Sequence, residues 1–362
     1  MAIIIGSLQK VLNMSLPTTT RAAVLVEAGQ PLQIMDLQLP DLKPGQVLVK
    51  MDYAGVCHTQ LHEVRGKRGE DRFLPHVLGH EGSGTVLALG EGVGKVKVGE
   101  KVVLTWIKGA GADVPSTSYD SAIGTVNSGA ISTFMTHTVT CENRLVPMTE
   151  ASMGQREAAL LGCAVPTGAG TIVNTADVQK DSTVAIFGVG GIGLSAVLAA
   201  NMRGAKVIIA VDVVEDKLVA AMAAGATYTI NAAQENTVAR IKKLTDGKGV
   251  DTALEAVGKS QTMEDAYASV AYGGGLCVLA GNVAFGEKMC LDPYDLIKGR
   301  RIVGTWGGET DPDRDLPIYV EMYLKGKLPF GQLVSHEWAL DDINTAFDEL
   351  EAGRVSRALI RL

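Results

Sequence analysis

Short apolar runs cut by glycine turns fill the first part of the chain, and longer apolar stretches of alternating strand and helix length fill the rest. From Arg21 to about Pro147, Arg21-Ala-Ala-Val-Leu-Val26, Val47-Leu-Val-Lys-Met51, Gly84-Thr-Val-Leu-Ala88 and Lys101-Val-Val-Leu-Thr105 have strand length and strand composition. Gly90-Glu-Gly-Val-Gly94 and Lys97-Val-Gly-Glu100 read as turns between them. A largely β region follows, closed into a barrel or sandwich. From about Gln155 the pattern predicts helix 156–174, strand 183–187, helix 191–203, strand 206–211 and helix 215–224. Strand 251–255, a helix near 261–270 and strand 276–280 continue it. Strand and helix in alternation build a doubly wound parallel sheet, so the fold class is α/β with a β domain attached. Amphipathic helices at Pro317 to Lys325 and near Asp341–Ala352 precede a closing strand, Arg357 to Leu362, expected to return to the β region.

One strand-to-helix junction carries chemistry. Val184-Ala-Ile-Phe-Gly188-Val-Gly190-Gly191-Ile192-Gly193 runs an apolar strand into a glycine turn and then an alanine-rich helix. Gly188 permits the tight turn, Gly190 lets backbone approach a pyrophosphate, and Gly193 lets helix and strand pack closely. A second strand, Val207-Ile-Ile-Ala-Val211, ends in Asp212, 19 positions after Gly193 (212 − 193), against about 20 expected for the acid that binds the adenosine ribose. With no arginine following, Asp212 points to NAD rather than NADP. Lys217 could reach the same ribose, or simply be a solvated helix residue.

Composition narrows the class. The 362 residues are 46% hydrophobic and 20% charged, enough for two domains with a substantial core. A net charge of −7 without a basic block argues against nucleic acid or an anionic membrane as partner. Apolar stretches are interrupted before the ~20 residues of a membrane helix. Ala2-Ile-Ile-Ile5 lacks the length and preceding charge of a signal segment, so residues 1–19 read as an extension, with Met14 as an alternative start. The expected location is the cytoplasm, where five cysteines stay reduced and become candidate metal ligands.

Three short motifs supply such ligands: Gly55-Val56-Cys57-His58-Thr59, Gly79-His80-Glu81-Gly82 and Gly162-Cys163-Ala-Val-Pro-Thr167-Gly. Each alone is a weak signal, because buried cysteines are usually packing residues. Together, two thiols and one imidazole from distant segments form the set that holds a catalytic zinc with its fourth position open. Cys163 lies where the β region gives way to the nucleotide-binding half, which places the metal in the cleft that a nicotinamide would enter.

With these motifs in this order, the chain resembles the zinc-dependent alcohol dehydrogenases of the medium-chain dehydrogenase/reductase superfamily from about residue 21 to its end. The resemblance implies a GroES-like, zinc-binding catalytic domain at 1–164 and 308–362, and a Rossmann NAD-binding domain at 165–307. It implies Cys57, His80 and Cys163 as ligands of zinc, which makes a bound alcohol more acidic. Thr59 and His62 would then form a proton relay, with a surface residue as the other reading of His62. Glu81 would sit behind the zinc and briefly replace a leaving ligand. His58 and Arg357 would meet the cofactor pyrophosphate, and Thr167 the nicotinamide; an exposed strand residue is the other reading of Arg357. Trp106 and Phe134 would wall the alcohol pocket, favouring unbranched primary or aryl-methyl alcohols, unless Trp106 is a core residue. Strands around 276–306 would pair across a two-fold axis into a homodimer or homotetramer.

Two departures stand out. Residues 107–119 contain no cysteine where many members hold a structural zinc on four, so one zinc per chain is expected. Gln60 replaces an acid that supports the ligand histidine; it is expected to accept that ring's N–H while leaving the zinc more electrophilic. Cys141, Cys277 and Cys290 read as structural thiols. The function expected is NAD-dependent interconversion of a primary or aromatic alcohol and its aldehyde. The alternatives are a polyol or formaldehyde-adduct zinc dehydrogenase, a zinc-free quinone or enoyl reductase of the same superfamily, and a non-catalytic NAD-binding protein.

Overall fold

The computed structural model describes residues 16–148 and 153–362. The expected extension lies outside the described residues up to position 15. The β region divides into two systems. Thr19–Leu25, Gln33–Gln38, Ser118–Ser121, Gly124–Ser128 and His76–Val77 close a small barrel. Leu145–Pro147, Lys101–Thr105, Glu81–Leu89, Gln46–Val56, Ala358–Arg361 and His336–Ala339 lie in that order in a second sheet. His137–Cys141 also pairs with Gln46–Val56, along Gln46 to Lys50. The closing strand runs antiparallel to the far end of that long strand, Ala358 opposite Val56, returning the chain to the β region.

The third sheet is parallel and six-stranded. Its order is Tyr228–Asn231, Val207–Asp212, Thr183–Phe187, Thr252–Glu255, Leu276–Leu279 and Arg301–Gly304. The strand order reverses direction at Thr183–Phe187, a Rossmann arrangement with its ligand crevice at the carboxyl ends of the strands. Tyr228–Asn231 and the Thr237–Leu244 helix were not anticipated. The strand carries only Ile230 as a fully buried side chain and leaves Tyr228 exposed, so it shows little apolar signal.

Two helices differ from expectation. The run expected as one helix over 156–174 is bent by 56° between its halves, with Cys163 at the break in a non-helical conformation (φ −154°, ψ −62°). Its residues are so uniformly apolar that no periodicity marks the corner. The helix expected to start at Pro317 instead spans Pro312–Leu324, because Asp311 accepts from the Asp313 N–H and Pro312 occupies the first turn. An interior proline suggests a boundary that is not there. No single helix among the described residues is long and apolar enough to cross a membrane.

One apolar cluster joins the halves. It runs from Val103 and Val146 in the β region through Leu160, Leu161 and Val165 to Ile186, Leu194 and Leu198, and includes Leu316, Phe330 and Leu359.

Candidate metal and nucleotide site

Cys57 follows the long central strand and caps the His58–Val64 helix. His80 follows Gly79, whose φ of +102° suits glycine, and an added Cβ there would lie 2.3 Å from Thr133 Oγ1. Cys163 sits at the helix break. Thr105 holds that corner, its hydroxyl donating to Gly162 O at 2.8 Å. The three side chains converge: their ligand atoms all lie within 4.8 Å of one another.

The donor chemistry fits a divalent cation. Cys57 and Cys163 are buried side by side. The hydrogen bond from Cys163 holds the Cys57 thiol well below its usual range, against burial. That bond, together with burial, pushes Cys163 well above it. Two buried sulfurs this close ionise together only with positive charge between them. His80 Nε2 is buried without a hydrogen-bond partner, while Nδ1 meets Gln60 at 2.6 Å.

Here an expectation is corrected. Gln60 Oε1 accepts from Cys57 N–H at 3.0 Å, so the amide presents its NH2, not its carbonyl, to His80.

Around this centre, Thr59 Oγ1 lies 3.9 Å from Cys57 Sγ and Thr167 Oγ1 4.0 Å from Cys163 Sγ. His62 is half-buried one turn beyond Thr59. Glu81, fully buried, pairs with the Arg357 guanidinium. Arg357 is 4% exposed, which rules out the exposed-strand reading, and its Cδ would lie 3.1 Å from a Cβ on Gly191. It therefore links the acid behind His80 to the glycine turn. His58 lies exposed at the start of its helix.

Trp106 stands edge-on to His80, ring centroids 6.4 Å apart, and edge-on to Trp306 at 4.9 Å. Phe134 is corrected: it is fully buried against Phe347 in a separate core cluster and does not reach the cleft.

The nucleotide end is built as its residues dictate. Gly190 caps the Gly191–Met202 helix without any side-chain cap, leaving first-turn N–H groups for an anion. A Cβ on Gly190 would find nothing nearer than Ser356 O at 3.9 Å, so the space a phosphate needs is open. Asp212 Oδ2 accepts from Val189 N–H at 2.9 Å, and Oδ1 from Val213 and Val214 at 2.8 and 3.1 Å. These bonds brace the turn against the second strand; Oδ1 is filled by its two donors, and Oδ2 keeps a lone pair for a ribose hydroxyl. Lys217 is half-buried on the next helix. Site and turn thus accommodate a metal and a dinucleotide.

The cysteine-free segment is organised by carboxylates. Glu142 accepts from Gly94 and Lys95 N–H, both at 3.0 Å, and from Ala112 N–H at 2.8 Å. Burial raises its pKa, but the three backbone donors outweigh it and hold the carboxyl below its usual range. Of the other thiols, Cys141 and Cys277 are buried, with Cys277 pushed up to about 12 by burial, while Cys290 is exposed.

Two residues at the cleft went unread in the sequence. Asn282 Nδ2 donates to Thr59 Oγ1 at 3.4 Å, and Trp306, 77% exposed, meets Trp106. Both follow the carboxyl ends of parallel strands, where doubly wound sheets bind ligands, and that position was the available signal.

Comparison with known proteins matches the chain in two blocks. The alcohol dehydrogenase GroES-like domain family matches residues 43–150, and the zinc-binding dehydrogenase family matches 191–324. S-(hydroxymethyl)glutathione dehydrogenases of Synechocystis sp. and Paracoccus denitrificans are 34% and 33% identical to the chain, over 94% of it and 99% of each relative. The crystal structure of benzyl alcohol dehydrogenase from Acinetobacter calcoaceticus superposes with a TM-score of 0.86 at 32% identity, covering 96% of this chain and 100% of that one.

Proposed function

The chain belongs to the zinc-type alcohol dehydrogenases of the medium-chain dehydrogenase/reductase superfamily, and from that premise we propose that it oxidises aromatic or unbranched primary alcohols to aldehydes with NAD as hydride acceptor. The observation that carries this reading is the convergence of Cys57, His80 and Cys163 beside the Trp106–Trp306 pair. One zinc per chain is part of the proposal.

When bound, zinc supplies Lewis acidity to a substrate oxygen. The chain's residues do the rest. Trp106 and Trp306 offer ring edges to a flat substrate. Thr59 would accept the substrate's hydroxyl proton as its own hydroxyl proton moves on, and His62 would release a proton to solvent. Arg357, ion-paired with Glu81, would hold its guanidinium against the glycine turn. Asp212 selects a free ribose hydroxyl over a phosphate.

A rate screen of benzyl alcohol, ethanol and S-hydroxymethylglutathione, each with NAD and NADP, tests the assignment. Benzyl alcohol with NAD is expected to give the highest kcat/KM. Trp106→Ala should lower that value by about 10–100-fold, the worth of one ring's burial, and change ethanol much less. Equal losses on both alcohols would remove Trp106 from the pocket. The glutathione adduct is the second reading, favoured by the names of the relatives; its dominance in the screen would replace the first.

His62 predicts a pH effect. Burial disfavours its imidazolium, and Lys67 and Arg68 add to that, so its pKa falls below 6.5. The neutral base persists to lower pH, and the acid limb of kcat should lie under that value. His62→Gln should slow turnover by about 100-fold, the low end for a positioned base, and abolish the limb. An unchanged limb in the variant would assign it to another group.

A further inference from the structure

The Cys57 backbone N–H can only donate, and it points at Gln60 Oε1. The bond has its own structural reason. Cys57 is the N-cap of the His58–Val64 helix and Gln60 its third residue, the position from which Glu or Gln reaches back to the cap N–H. The donor thereby fixes which end of the amide is oxygen, independently of any assumption about His80. Gln60 is 1% exposed, so no solvent relieves the arrangement.

The NH2 end faces His80 Nδ1 at 2.6 Å. An NH2 group donates and has no lone pair to offer, so this bond needs an unprotonated Nδ1 and leaves the imidazole proton on Nε2. Nε2 is the buried, unpartnered nitrogen of that ring, and its ring joins the two sulfurs in the cluster. Metal ligation through Nε2 requires the other tautomer, with the lone pair on Nε2 and the proton on Nδ1.

We propose that Gln60 is a positioning residue that opposes metal loading: because its carbonyl is committed to the Cys57 N–H, a cation seated on His80 sets two N–H groups face to face. Rotating the amide does not help, since it turns NH2 towards the Cys57 N–H instead. A carboxylate in the same place accepts from both neighbours at once. The centre therefore holds its metal more loosely than the same three ligands would with Glu at this position, and exchanges it more readily. The inference rests on the reading of Cys57, His80 and Cys163 as the metal ligands.

Counting donors gives a distinguishing consequence. Loading the unaltered chain creates one donor-to-donor conflict. In Gln60→Leu the Cys57 N–H and the ring N–H are unpaired before and after loading, so loading breaks no hydrogen bond. Leucine should therefore hold metal at least as well as glutamine, and Gln60→Glu should hold it far better than glutamine.

The test titrates zinc against a competing chelator into metal-stripped, full-length protein, with cobalt and its thiolate absorption as a second readout independent of turnover. Gln60→Glu is expected to bind both metals about 10–100-fold more tightly than the unaltered chain, and Gln60→Leu no more weakly than the unaltered chain. A Glu variant that binds no tighter overturns the proposal. So does a Leu variant at least about tenfold weaker, which would show the amide accepting from Nδ1–H. Should leucine prevent folding for want of the cap, the Glu variant decides alone. Absence of cobalt–thiolate absorption in every form would overturn the zinc reading itself, an outcome distinct from equal affinities.

Discussion

Cys163→Ser is expected to empty the metal site and to cost about 10³-fold or more in kcat/KM. The argument starts from the two sulfurs. Cys163 and Cys57 are buried close together, and full ionisation of both needs a cation between them. Serine keeps the volume but offers a hydroxyl that does not ionise in this range. Two ligands remain, one of them already opposed by Gln60. Loss of Lewis acidity removes several kcal/mol of transition-state stabilisation, and each 1.36 kcal/mol is tenfold in rate. Zinc content by mass spectrometry and initial rates check the prediction together. A variant that kept its zinc and more than about a tenth of its activity would show that the thiol at the helix break is not a ligand.

Gly193→Ala should be the most damaging single methyl group. Its Cβ would lie 1.9 Å from Gly188 O and 2.9 Å from Gly188 C, atoms of the glycine turn itself. No side chain can swing aside, so the Gly191–Met202 helix must shift. Overpacking of this kind costs about 1–3 kcal/mol or more, partly offset by alanine's helix preference of about 1 kcal/mol. The larger effect falls on the cofactor. Displacing first-turn N–H groups forfeits charge-assisted bonds of about 1.5–3 kcal/mol each, enough to raise the NAD dissociation constant by about 100-fold. Isothermal titration measures it, with Gly94→Ala as control because a Cβ there meets nothing within 4 Å. Unchanged NAD affinity in Gly193→Ala would move the pyrophosphate away from this turn.

What the sequence disclosed, and what it withheld, follows from how local the cause was. The glycine turn and Asp212 belong to one strand–helix–strand unit whose spacing is set by backbone geometry, so the pattern is visible in linear order. Cys57, His80 and Cys163 were legible for another reason: reactive side chains beside glycines have few bland uses in combination. The polarity of Gln60 was not legible, because two demands fall on one amide, and only coordinates show that the helix cap claims the carbonyl. The corner at Cys163 was hidden by uniform apolarity. Phe134 was misplaced because an aromatic in a β region serves core and cleft equally well until its partner, Phe347, is known. Asn282 and Trp306 lie on loops, where position in space rather than residue pattern confers the role.

The apolar cluster that passes from Val103 and Val146 through Leu160 to Leu194 and Phe330 belongs to neither half alone. Melting either half would strip the other of part of its interior, so heat should disrupt both in a single transition. Calorimetric and van't Hoff enthalpies ought then to agree, as they do for a cooperative unit, and two resolved endotherms would show the halves to be thermodynamically separate.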